Sequence, residues 1–310
     1  TAQQAEVNSK YDPHALFAPL TMPSSRENTR TATGEPGQQY WQNRADYEMQ
    51  VSLNDITNEI SGSVIITYKN NSPIALPYLW LQLDQNLFNK NSRGQARMPV
   101  GNRSRYGDAK SNFNGGYNIK SVKLLNDNSN ADYIINDTRM QVRLPKAVKP
   151  YGDVIRIKIE YAFNLPQYGA DRCGILKTKN GNIFAVAQWY PRMCVFDDIR
   201  GWNTDPYLGP SEFYLEYGDF DFTITAPSNL VVVASGELLN PSEVLTTEQA
   251  KRMAQARLSD KTIMIRNESE INSTASDAAK KLSWHYKINN ARDAAWSASA
   301  AFIWDAARIN

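Results

Sequence analysis

Hydrolysis at a bound zinc needs three protein ligands, because a four-coordinate metal must keep one position for water. This sequence offers two histidines, His14 and His285. One sits in a polar amino-terminal stretch and the other beside Trp284 in a strand pattern, outside any ligand spacing, so both read as structural or surface residues. Cys173 and Cys194 do not form the paired C-x-x-C unit of a structural zinc site. They could join in an oxidising compartment or stay as unpaired core thiols. Nucleophilic catalysis has as little support: neither histidine has a triad motif around it, and no G-x-S-x-G elbow, Walker loop or dinucleotide fingerprint occurs. Asp197-Asp198 and the run Glu216, Asp219, Asp221 could supply a glycosidase carboxylate pair. Acids at turns and on wet strand faces are commoner, and that reading is preferred. The densest unusual block runs from Phe184 through Gln188-Trp189-Tyr190-Pro191-Arg192 to Val195-Phe196-Asp197-Asp198 and Gly201-Trp202. A strand ending in an amide, two aromatics and a proline can present a binding rim, or it can close a buried aromatic corner; the residues alone leave both open.

The elements that must position such a block are strands. Tyr47, Met49, Val51 and Leu53 alternate with polar residues, as do Val64, Ile66 and Tyr68 after the Asn54-Asp55 turn, predicting a hairpin with one wet face. Leu79, Leu81 and Leu83 follow a turn from Pro73 to Pro77. Met140, Val142 and Leu144 make another strand, then a linker from Pro145 to Asp153 leads into Ile155, Ile157, Ile159 and Tyr161. Phe220, Phe222 and Ile224 repeat the pattern, and Val231-Val232-Val233 reads as a strand buried on both faces. Further strands are expected over Thr262–Ile265 and Ser283–Ile288. One helix stands out at Glu248 to Leu258, announced by a capping box of Thr246 with Gln249. The polar stretch from Asn86 to Gly116 reads as a long surface loop.

No βαβ rhythm or fixed repeat appears, so the fold class is mainly β: a large curved antiparallel sheet or sandwich with one notable helix. The expected organisation is a polar arm over residues 1–39, a β domain over 40–290 and a hand-over segment over 291–310. In 310 residues, 34 Lys+Arg face 32 Asp+Glu for a net charge of +2, which excludes a phosphate-neutralising nucleic-acid binder. A hydrophobic fraction of 42% supports a sizeable core, and no apolar run approaches a membrane span. The opening Thr1-Ala2-Gln3-Gln4 fits the residue of a removed signal peptide, and with it a periplasmic or extracellular location.

In chain order, Gln188-Trp189-Tyr190-Pro191, Asp197-Asp198, Gly201-Trp202, Glu212-Phe213-Tyr214, Gly218-Asp219-Phe220-Asp221-Phe222, Ala226-Pro227 and Ala234-Ser235-Gly236-Glu237-Leu238 form a series. Earlier pieces extend it, with Ile60 to Tyr68 around Gly62 and Asp137-Thr138-Arg139-Met140. Trp284 with Ala291-Arg292-Asp293-Ala294 extends it later. The series resembles the amino-terminal domain of the aminopeptidase N family of zinc metallopeptidases, the gluzincins, in the divergent bacterial branch where Trp-Tyr-Pro follows the glutamine. The likeness covers about residues 40–305. It implies a saddle-like β domain that packs on a thermolysin-like catalytic domain and walls its cleft. The H-E-x-x-H and G-x-M-E-N motifs belong to that following domain and are absent here. The chain then reads as a non-catalytic segment ending before its partner begins.

By the same resemblance, zinc belongs to the full-length parent and none is expected in this segment; the partners are the catalytic domain and peptide substrates. Gln188 is carried over as a substrate-binding residue near the first residue of the peptide. Tyr190 stands where relatives hold an acid or amide that grips the free amine, and a phenol cannot offer a carboxylate to an ammonium. A different class of function remains as the alternative, a self-standing β-sandwich that binds glycans or proteins. The 7 Trp, 16 Tyr and 10 Phe motivate it, since exposed rings stack on sugars and anchor partners.

Overall fold

Alternation of apolar and polar residues builds the largest sheet. β1 (Arg44–Asn54) buries Ala45, Tyr47, Met49, Val51 and Leu53, and β2 (Glu59–Asn70) buries Ile60, Val64, Ile66 and Tyr68. The turn between them is an Asx turn: Asn54 Oδ1 accepts the backbone N–H groups of Ile56 and Thr57 at 3.0 and 3.1 Å. The computed structural model describes residues 29–31, 33–97, 103–104, 107–108, 113–166, 172–210, 212–271 and 280–309. His14 and residues 1–28 of the expected arm lie outside that set.

The large sheet has eight strands in the order β18-β20-β16-β1-β2-β10-β6-β7. Besides the first hairpin these are β6 (Asn118–Leu124), β7 (Ser129–Asn130), β10 (Asp153–Asn164), β16 (Gly218–Pro227), β18 (Glu237–Leu238) and β20 (Lys281–Ala291). Its pairings are antiparallel except one: β16 runs parallel to β1, with Tyr47 opposite Phe220 and Met49 opposite Phe222. A second sheet has the order β11-β12-β21-β17, made by Cys173–Thr178, Gly181–Val186, Trp296–Ser299 and Val231–Ala234. A third has the order β13-β3-β9-β8, made by Arg192–Met193, Leu76–Gln82, Arg139–Val148 and Asp132–Asn136. Among the described residues three short ladders complete the strands: β14 (Phe196–Asp197) with β15 (Gly201–Trp202), β19 (Ile263–Arg266) with β22 (Trp304–Ala306), and β4 (Arg103–Ser104) with β5 (Gly107–Asp108). The fold is therefore mainly β, as the periodicity predicts. One apolar cluster runs through all three larger sheets, and a small one gathers Leu87, Phe88 and Tyr207.

The helix Thr247–Ala256 carries the expected capping box, with the Gln249 N–H donating to Thr246 Oγ1 at 3.2 Å and Thr246 N–H to Gln249 Oε1 at 3.3 Å. Gly62 lies opposite Val51 in the first hairpin, where a Cβ would overlap the Gln50 carbonyl oxygen, so the small residue is a packing requirement. Both cysteines are free and buried, and burial pushes each thiol up to about 12.

Three local expectations need correction. The stretch from Asn86 is not all surface loop: a 3-10 turn over Asp84–Phe88 buries Asp84, Gln85, Leu87 and Phe88, because Leu87 and Phe88 supply the second cluster. The linker from Pro145 is shorter, since β9 continues through Pro145 to Val148, which pairs with Leu76 across an irregular register. Val231 and Val232 are buried but Val233 is half-buried, because β17 is the edge of its sheet.

Candidate functional site

The strand β12 ends at Val186, and two residues later Gln188 adopts φ 56, the left-handed region that a side chain with a Cβ occupies at a cost. Its carbonyl oxygen is the fixed point. Gln85 Nε2 donates to it at 3.0 Å and the Tyr117 hydroxyl at 2.9 Å. The reversal sends the next two rings inward. Trp189 and Tyr190 are both fully buried, with Trp189 Nε1 donating to the Ala294 carbonyl at 2.8 Å and the Tyr190 hydroxyl to Asp293 Oδ1 at 2.7 Å. These rings close a buried aromatic corner, Trp189 edge-on to Tyr190, Phe222 and Trp296. The Gln188 carboxamide is 3% exposed and lies 3.5 Å from the Tyr207 hydroxyl.

Arg192 sits at the centre of the corner, on the third sheet and without exposure. Its Nε and Nη2 donate to Asp84 Oδ2 at 2.9 and 2.5 Å, and its Nη1 donates to Asp293 Oδ2 at 2.7 Å. The guanidinium stacks over the Phe213 ring, 4.2 Å from its centroid. Burial opposes the Arg192 charge, but Asp84 and Asp293 outweigh it and raise its pKa, so the group stays protonated. Burial likewise lifts the Asp84 carboxyl above the usual carboxylate range, against the pull of Arg192. Three segments distant in sequence thus meet at one cation, and Tyr190 joins through Asp293. Asp84 carried no motif in the sequence, and Asp293 stood out there only within the block Ala291-Arg292-Asp293-Ala294. The signal available was an arginine inside an aromatic block, which cannot be buried without an acid from elsewhere.

The remaining acids serve the backbone or ion pairs, of which Arg30–Asp198 is largely buried. Asp197 Oδ1 accepts the N–H groups of Ile199 and Arg200, Asp198 takes a bidentate contact from Arg30, and Asp221 meets His285 Nε2 at 2.7 Å on the wet face of the large sheet. Glu216 differs: it is buried, its Oε1 has no hydrogen-bond partner, and burial with Asp197 nearby pushes its carboxyl up to about 8. Among the described residues no three His, Cys, Asp or Glu side chains gather as a metal site requires, so the donor set present does not fit zinc. No helix among them is long and apolar enough to cross a membrane.

No protein-family profile matches this sequence, and no curated protein matches it. Over most of its length the chain is similar in structure to M1 zinc metallopeptidases. An M1 zinc metallopeptidase from Deinococcus radiodurans, solved with a Tyr-Ser-Ala substrate, aligns with TM-score 0.41 and 12% identity over 85% of this chain and 44% of its own. Leukotriene A4 hydrolase from Saccharomyces cerevisiae aligns with TM-score 0.40 and 13% identity over 83% of this chain and 29% of its own. The chain thus spans less than half the length of either structure.

Proposed function

We propose that this chain is the non-catalytic amino-terminal β domain of an exported zinc metallopeptidase, an aminopeptidase that removes amino-terminal residues from peptides. In this reading it packs on a thermolysin-like catalytic domain outside the chain and walls one side of the substrate cleft. The zinc and its glutamate base reside in that other domain. Support comes from the ordered series of sequence blocks, and the observation that carries it is Gln188. A non-glycine residue in a left-handed conformation persists only where its surroundings over-determine it, and such strain gathers at functional positions. Here the two hydrogen bonds to its carbonyl supply the restraint. Gln188 then fixes the wall just beneath the peptide, its carboxamide held against the Tyr207 hydroxyl, while the phenol of Tyr190, committed to Asp293, braces the strand rather than gripping an amine.

The test is kinetic. In the full-length parent, Gln188→Ala raises KM for dipeptide amides with kcat little changed, the signature of lost ground-state binding. The isolated chain cleaves no peptide. Turnover by the isolated chain, or an unchanged KM in the variant, would overturn the assignment. Of the rings that motivated the glycan-binding alternative, Trp189, Trp284, Tyr68, Tyr161, Tyr190, Phe184, Phe220 and Phe222 are core residues, while Tyr78, Tyr151, Tyr214 and Tyr217 are exposed.

A further inference from the structure

Arg139 opens β9 and is only 8% exposed. Its Nη1 donates to the Thr138 carbonyl at 2.9 Å and to Thr138 Oγ1 at 3.4 Å. Thr138 is itself immobilised: its Oγ1 accepts the Tyr207 N–H and its carbonyl the Leu83 N–H, each at 2.9 Å. The other edge of the guanidinium, Nε with Nη2, meets no acceptor among the described residues, and Nε is buried without a partner. Asp84 is close enough to sense the charge but gives its Oδ2 to Arg192. A buried cation is ordinarily paired, because removing it from water costs several kcal/mol or more. Arg139 instead borders a cavity of about 280 Å³ between the third sheet and residues 203–207 and 212–214. The Gln82 carboxamide, on the same cavity wall, also makes no hydrogen bond within the described chain. Asn203 and the Tyr207 ring complete the polar side, and Pro206, Phe213 and Tyr214 the apolar side.

We propose that this cavity is a binding site for a small organic carboxylate, its oxygens taken by Arg139 Nη2 and the Gln82 carboxamide and its carbon body lodged against Pro206, Phe213 and Tyr214. A guanidinium N–H to a carboxylate oxygen is a charge-assisted hydrogen bond, stronger than one between neutral groups. Nη2 is the nitrogen left for the ligand, because Nη1 is held by Thr138 and Nε is enclosed. Glu212 and Asp205, which also line the cavity, are largely exposed and paired with Arg172 and Arg200. They admit a monoanion more readily than a doubly charged phosphate. The Gln82 amide is placed to donate to the same carboxylate.

The experiment is calorimetric titration of the 310-residue chain with benzoate and with benzamide, which has the same shape and no charge. Benzoate binds at one site and benzamide at least tenfold more weakly, and Arg139→Lys reduces benzoate affinity at least tenfold. Should that variant fail to fold, Gln82→Leu gives a smaller loss, and in the unaltered chain benzoate shifts a single arginine Nε–H resonance. Equal affinity for the two probes, no benzoate binding at millimolar ligand, or tighter binding of inorganic phosphate would overturn the proposal.

Discussion

The Arg192 corner and the wet face of the large sheet use the same chemistry under opposite conditions. In the corner, one guanidinium and two carboxylates are joined at 2.5 to 2.9 Å with the cation wholly buried. On the wet face, Arg156 reaches Glu48 at 2.8 Å with both side chains roughly half exposed. The distances are alike; the consequences differ. Water already solvates the exposed pair whether it forms or not, so it adds little. Little water can reach Arg192 and Asp84, at 1% and 0% side-chain exposure, whereas Asp293 is 36% exposed; the buried pair therefore acts as a lock whose loss of one member leaves a stranded charge.

Removing the central cation should break this contrast most severely. Arg192→Met leaves Asp84 buried without its donor and is expected to cost about 3–5 kcal/mol, read by urea unfolding. A loss below about 1 kcal/mol, the range of an exposed pair, would show that the corner is wetter than its burial implies. Tyr190→Phe is the next step down. It keeps the ring packing and deletes one donor to Asp293, for an expected loss of about 1.5–3 kcal/mol. Glu216 sharpens the contrast along the pH axis. Its folded-state pKa of about 8 lies above the unfolded 4.5, so the folded chain keeps a proton that the unfolded chain releases. Stability therefore falls as pH rises from the ordinary carboxylate range through about 8, and Glu216→Gln should flatten that slope in unfolding curves taken across it. The smallest effect belongs to the wet face: Arg156→Ala should change stability by about 0.2–1 kcal/mol and become neutral in high salt.

The strands were legible because alternation reports one buried face, and β1, β2, β10 and β16 all carry it cleanly. The helix was legible through Thr246 and Gln249, since a cap is a local signal. What periodicity cannot report is which strand lies beside which, so the parallel pairing of β1 with β16 was invisible across more than a hundred intervening residues. The same limit hid the corner: Asp84 and Arg192 are 108 residues apart, and neither has a spacing that names the other. The stretch from Asn86 reads as loop in sequence because polar neighbours mask Leu87 and Phe88, the two apolar side chains of the 3-10 turn, which find their partners only in three dimensions.

The position of β21 carries a kinetic consequence. Trp296–Ser299 is an interior strand, flanked by β12 on one side and β17 on the other. The second sheet cannot close until almost the whole described chain has left the ribosome. Until then β12 and β17 present bare edges, the kind of nascent surface that recruits chaperones and invites mispairing. Such a late closing strand makes this domain a slow folder during synthesis, whatever its final stability.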